Sequence, residues 1–304
     1  MIDVAIIGGS FAGLTAALQL GRASRSVTVI DAGAPRNRMS PAAHGVPGWD
    51  GMPPKDILDR IRADALAYPT VSLIEGFVVA AGRQETGFKI DLDAGAPIAA
   101  HRVLLTHGVR DILPDLPGAT EAWGRTLLHC PYCHGYEVRG RPVAVLGVHP
   151  MSGHQAAMLR ADWSESVTLL AGLGVEVHTE GLDGITFDDR PVAALRATDV
   201  GLAVDFADGT TSDFAGVFTA PQVSLAGSPA EMLGCATALG PLGPYLQVGP
   251  MGQTTISGVF AAGDCASPAH SVTPALGAGA MAGVGCHQSL LFPDNFPPLE
   301  VSNP

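Results

Sequence analysis

The chain has 304 residues, 47% hydrophobic and 15% charged, enough apolar material for two domains of ordinary size. A net charge of −12 with no basic cluster excludes a nucleic-acid binder, and no apolar run reaches the roughly 20 residues of a membrane span. Five cysteines, an odd number, do not make a secreted disulfide framework. The first residues read as a strand rather than a signal peptide, so a cytoplasmic protein is expected.

Residues 2–7 form an apolar strand that runs into Gly8-Gly9-Ser10-Phe11-Ala12-Gly13. A helical pattern follows through Leu14, Ala17, Leu18 and Leu20, then a second strand, 26–30, ending at Asp31. Strand, glycine turn, helix, strand and acid make a dinucleotide-binding unit. The turn lets backbone approach a pyrophosphate, the helix N-terminus supplies N–H donors, and Asp31 is in register for ribose hydroxyls. The middle glycine of the fingerprint is Ser10, which predicts a strained close approach. Ala32 and Arg36 open a loop suited to wrapping an adenosine, and His44 lies in an irregular stretch, 44–51, suited to lining a ring system. Residues 56–68 read as an amphipathic helix. Strands are expected near 71–73, 76–80 (with Val78 as a further ligand-side position), 88–92 and 102–106. The last ends in Thr106-His107-Gly108, and the prolines and glycine of 113–118 mark a hinge.

Next comes His129-Cys130-Pro131-Tyr132-Cys133-His134-Gly135-Tyr136-Glu137. A Cys-x-x-Cys pair in a cysteine-poor chain reads as redox chemistry. A zinc site would need two more ligands at matching spacing, and Cys235, Cys265 and Cys286 stand alone. Residues 141–147 are a strand ending in glycine, 152–162 a helix, 166–170 a strand, and 181–213 several short strands with turns. Residues 256–264 are a buried strand delivering Gly263-Asp264 at its C-terminal end, where open sheets place ligands. Residues 272–285 are small and apolar. They read as a helix packed against a flat cofactor or, equally, as a tightly packed core helix.

The order Gly8-x-Ser10-x-x-Gly13, Asp31, Thr106-His107-Gly108, Cys130-x-x-Cys133, Gly263-Asp264 resembles the thioredoxin reductase-like flavoprotein disulfide oxidoreductases over nearly the whole chain. The resemblance implies an α/β fold of two Rossmann-like, three-layer ββα domains. A split FAD domain (1–113 and 244–304) would receive an inserted CxxC-bearing domain (114–243), and the protein would be a homodimer. It implies that Cys133 lies over the flavin and that Cys130 is the interchange thiol. His134 occupies the position where the reductases carry an aspartate general acid/base, and His270-Ser271 stands where they carry an arginine–glutamine pair beside the flavin. His270, Ser271 and Val272 thereby become cofactor-side candidates, with His129 a weaker candidate beside the pair.

Family reductases bind NADPH in the inserted domain. Here the fingerprint after Gly147 has decayed to Val148-His149-Pro150-Met151-Ser152, and Pro150 lacks an N–H. No lysine or arginine occurs from Ala161 to Asp189 to pair with a 2′-phosphate. The run Cys130-Pro131-Tyr132-Cys133-His134-Gly135-Tyr136-Glu137 is similar to that of the FAD-dependent dithiol oxidases of gliotoxin- and holomycin-type biosynthesis. The expected activity is therefore oxidation of a small-molecule dithiol to its disulfide, with molecular oxygen as acceptor. Thioredoxin reduction fed by NADPH or another donor is the alternative, and a flavin-bound sensor switched by the CxxC is a third reading.

Overall fold

The structure, a computed structural model, describes residues 1–177 and 182–300. Gly181, the start of the stretch read as short strands, lies outside the described residues. The chain forms two compact units. The first is built from Met1–Arg36, Lys55–Arg110 and Val223–Pro304, and the second from Asn37–Pro54 and Asp111–Gln222.

The first unit opens with β1 (Ile2–Ile7), α1 (Phe11–Arg22) and β2 (Val27–Asp31). Then come α2 (Pro54–Leu66), β3 (Val71–Glu75), β4 (Val78–Arg83), β5 (Phe88–Leu92) and β6 (Ile98–Leu105). Strands β1 and β2 are near-continuous apolar runs because both their faces are covered. β1 pairs in parallel with β2 and β6, and β2 with β3. β5 runs antiparallel between β6 and β4.

The chain passes from the first unit to the second within β7 (Val109–Ile112), and the second contains α3 (Ala119–Ala122), β8 (Leu127–Leu128) and α4 (Pro131–His134). It continues through β9 (Val143–Leu146), α5 (Ser152–Asp162), β10 (Val167–Leu170) and β11 (Thr186–Asp188). An antiparallel sheet of β12 (Val192–Thr198), β13 (Gly201–Phe206) and β14 (Thr211–Phe214) precedes β15 (Gly216–Phe218). A parallel sheet in the order β11-β10-β9-β15-β8 forms the middle layer. Helix α5 packs Ala156 and Leu159 against Val145 and Leu169 on one face, while Leu195, Leu202 and Val204 cover Ala144, Leu146 and Leu170 on the other. This is the three-layer arrangement expected of a Rossmann-like domain.

The chain returns through β16 (Gln222–Leu225), α6 (Pro229–Met232), β17 (Thr237–Leu239), β18 (Pro244–Leu246), β19 (Val259–Ala261) and α7 (Val272–Leu291). β19 extends the first sheet by pairing with β6. The return comes at 222/223 rather than at 243/244, because Ala230, Leu233 and Leu246 belong to the apolar cluster of Ile90, Val103, Leu105 and Cys265. Helix α7 is longer than expected, and its small residues serve helix packing. A Cβ at Gly279 would lie 2.2 Å from the Ala12 carbonyl of α1, and one at Gly283 would lie 2.9 Å from that of Ala16. Those two glycines meet α1, so the core-helix reading of the segment holds there. No helix among the described residues is long and apolar enough to cross a membrane.

Candidate active site

Cys130 and Cys133 are joined as a disulfide with Cα atoms 5.2 Å apart. Pro131 starts the single turn α4, its fixed φ suited to a first helical position. Cys130 is the N-cap in extended conformation, and the Cys133 N–H donates to its Sγ at 3.2 Å. A hydrogen bond to sulfur favours the thiolate when the pair is reduced. His134 ends the turn. Burial holds its imidazole below the ordinary histidine range; the Glu137 carboxylate works against that, while His44 and His129 add to it. It is therefore a neutral base near pH 7. Tyr132 stacks edge-on against Trp163 at 5.6 Å, and Arg139 lies 3.6 Å from the centre of the Tyr136 ring.

His44, a candidate for the ring system, lies beside the CxxC run. The loop 37–54 belongs to the second unit, where a Cβ at Gly124 would be 3.1 Å from Met39. There His44 Nε2 lies 3.5 Å from Glu137 and Nδ1 lies 3.6 Å from Asp50. Below the CxxC, His129 Nδ1 is 3.1 Å from the Thr219 carbonyl oxygen, which only accepts, so Nδ1 carries the proton.

The turn between β9 and α5 is closed by its own side chains. The His149 N–H donates to Ser152 Oγ (3.2 Å), the Met151 N–H to His149 Nδ1 (3.1 Å) and the Ser152 N–H to the His149 carbonyl (2.9 Å). Pro150 has none to give. Ser152 is fully buried and its hydroxyl donates back to Leu146 O at 2.9 Å. The N–H groups of His149, Met151 and Ser152 are thus engaged within the turn. Beyond β10, Gly172 packs so tightly that a Cβ would lie 2.5 Å from the Asp189 carbonyl. Arg190, the first cation past the gap, is held by Asp188 at 2.9 Å and lies 3.8 Å from the Phe206 ring centre.

The first unit presents the opposite picture. Gly8 has φ +113°, and a Cβ on Gly13 would lie 1.9 Å from the Gly8 carbonyl, so both positions demand glycine. Ser10 sits at φ −98°, which any residue adopts. It caps α1 without a side-chain bond, and no acid occupies the first turn with Phe11 and Ala12. The turn and the bare helix end fit a nucleotide pyrophosphate. Thr106 Oγ1 fastens the turn by donating to Gly8 O at 2.7 Å. Asp31 accepts from the N–H groups of Gly9 (3.3 Å) and Gly33 (3.2 Å), so Ala32 lies in the same tight bend. Val78 opens β4 two residues after Gly76, whose N–H donates to the Asp31 carbonyl. Asp264 pairs with Arg36 at 2.9 Å. Ala262, Gly263, Asp264 and Pro274 line a cleft of about 240 Å³, and His270 precedes Ser271, the N-cap of α7, and Val272, its first residue.

His107 Nδ1 donates to the Gly108 carbonyl at 3.2 Å, and its Nε2 is shielded from solvent with no partner. Burial lowers its pKa to about 4. Cys265 and Cys286 are buried thiols pushed well above the ordinary cysteine range, the first to about 12, and are inert packing groups.

Residues 2–282 match the family model for pyridine nucleotide-disulphide oxidoreductases. The chain belongs to that family. Within it, the chain is similar to "Thioredoxin reductase tcpT" of Claviceps purpurea, 31% identical over 96% of this chain and 95% of that one. Its fold is similar to that of the oxidoreductase from Agrobacterium tumefaciens (41% identity, TM-score 0.90, 96% of this chain and 99% of that one). It is also similar to HlmI (34% identity, TM-score 0.89, 97% and 94%). The protein is a thioredoxin reductase-like, FAD-dependent disulfide oxidoreductase. For a member of this family, the glycine turn with Asp31 and the CxxC were the legible parts of the sequence. Missed were Glu137, which sits in the CxxC run itself, and Gln155, which no motif marks. The Gln155 Nε2 donates to the carbonyls of His129 and Thr219.

Proposed function

We propose that this enzyme oxidises a small-molecule dithiol to its intramolecular disulfide, drawing electrons from substrate rather than from NADPH. The β9–α5 turn carries the reading: the N–H groups of His149, Met151 and Ser152 are taken up within it, and Pro150 has none to offer a second nucleotide. A substrate thiolate attacks the Cys130 sulfur and releases Cys133 as thiolate. The second substrate thiol, losing its proton to His134, then displaces Cys130. A substrate disulfide forms and the enzyme disulfide becomes a dithiol, a transfer of two electrons and two protons. FAD, when bound, would supply the acceptor for that pair, with dioxygen as the terminal oxidant and hydrogen peroxide as its product. Gly8–Gly13, Asp31 and the Asp264 cleft are the residues that would hold it. The names of the relatives favour the reverse flow, reduction of a thioredoxin-like protein; that reading needs a donor the second unit's turn is poorly made to receive. In air, the purified enzyme mixed with a small dithiol is expected to release one peroxide per disulfide without NADPH. Peroxide that appears only when NADPH is added overturns the proposal.

A further inference from the structure

We propose that Gln155 is a positioning residue for the redox pair: its carboxamide, lodged in the crevice where a nucleotide domain holds its ligand, ties down His129 and so fixes Cys130. Gln155 lies in the first turns of α5, at the C-terminal ends of the parallel strands, where open α/β sheets bind ligands. It is 6% exposed. Its Nε2 donates to His129 O, which directly follows β8, and to Thr219 O at 3.4 Å, which directly follows β15. The His129 ring converges on the same Thr219 carbonyl from the other side. Cys130 is the next residue, and its carbonyl accepts from the Cys133 and His134 N–H groups at 3.1 and 3.2 Å. From the carboxamide to the sulfur and the base the links are backbone and one buried amide.

A second observation separates this role from simple packing. Gln155 Oε1 and Thr219 Oγ1 are both buried with no hydrogen-bond partner. A carboxamide satisfied only at its nitrogen is a poor filler, since a methionine of similar length brings no unpaired acceptor. The amide is explained by what its N–H groups hold. The inference rests on the CxxC being the redox group, and not on the direction of electron flow.

The test uses the holoenzyme and two variants, Gln155→Met and Gln155→Glu. Dithiothreitol reduces the enzyme disulfide anaerobically, and the freed thiols are trapped by alkylation at intervals. Both variants are expected to retain their flavin and melt close to the wild type. Gln155→Met slows disulfide reduction by about 10- to 100-fold, with the loss in the maximal rate rather than in half-saturation. Gln155→Glu faces carbonyl oxygens with a carboxylate, so its rate relative to wild type rises as pH falls and the carboxyl is protonated. Wild-type rates in Gln155→Met overturn the inference, as does a Gln155→Glu profile parallel to the wild type. Loss of flavin or fold in both variants also overturns it, in favour of a structural role. A wild type that reduces its disulfide but forms no peroxide sinks the dithiol-oxidase reading and leaves this one standing.

Discussion

Protonating His107 should destabilise the first unit from within. Its Nδ1 proton is committed to the Gly108 carbonyl, and its Nε2 is shielded with no acceptor beside it. Added acid has to place a charge there, and burial lowers the pKa from the ordinary histidine value of 6.5 to about 4. Between those values the unfolded chain binds a proton that the folded chain refuses, so stability is lost as pH falls. The penalty is absent well above pH 6.5 and complete below pH 4. At about 1.4 kcal/mol per unit it amounts to about 3 kcal/mol. Replacement by leucine removes the titrating group at similar volume. The Gly108 carbonyl keeps its other donor, the Ala226 N–H at 3.1 Å. Urea unfolding of the flavin-free protein at pH 7.5 and pH 4.5 then gives four free energies. The wild type should lose about 2–3 kcal/mol more than His107→Leu over that interval. Equal losses in the two proteins refute the claim that His107 is held neutral by burial.

Other changes have equally direct readouts. His134→Gln is expected to slow dithiol oxidation by about 10² to 10⁴ at pH 7. The deficit should shrink at higher pH, where substrate thiols ionise unaided; a deficit independent of pH means that His134 is not the base. Gly279→Ala should lower stability by about 1–3 kcal/mol in a melting experiment, because its Cβ would meet the Ala12 carbonyl at 2.2 Å. Gly277→Ala, on the same helix with open space around it, should be neutral or stabilising by about 0.5–1 kcal/mol. Similar effects at both glycines contradict the assigned α1–α7 packing.

What could be read from the sequence follows the range of the physics. The Gly8–Gly13 turn, Asp31 and the CxxC are local patterns in which spacing fixes geometry, and they stand where spacing put them. His149 was legible as an obstruction. That its ring and Ser152 would engage the turn's own N–H groups depends on side-chain directions that sequence does not carry. The loop 37–54 has no periodicity, so nothing in it announced that His44 would meet Glu137 and Asp50. The glycines of α7 signalled close approach without saying to what, and Gly279 and Gly283 turned out to meet α1. Gln155 gave no signal because its partners, His129 and Thr219, lie 26 and 64 residues away.

The central claim concerns where electrons enter, and anaerobic rapid mixing followed at the flavin absorbance band tests it most directly. The enzyme is mixed in separate runs with a small dithiol and with NADPH, with no oxygen present. The dithiol is expected to bleach the flavin in a saturable step lost in Cys130→Ser, and NADPH to leave it oxidised over the same interval. Rapid bleaching by NADPH, with none by the dithiol, contradicts it.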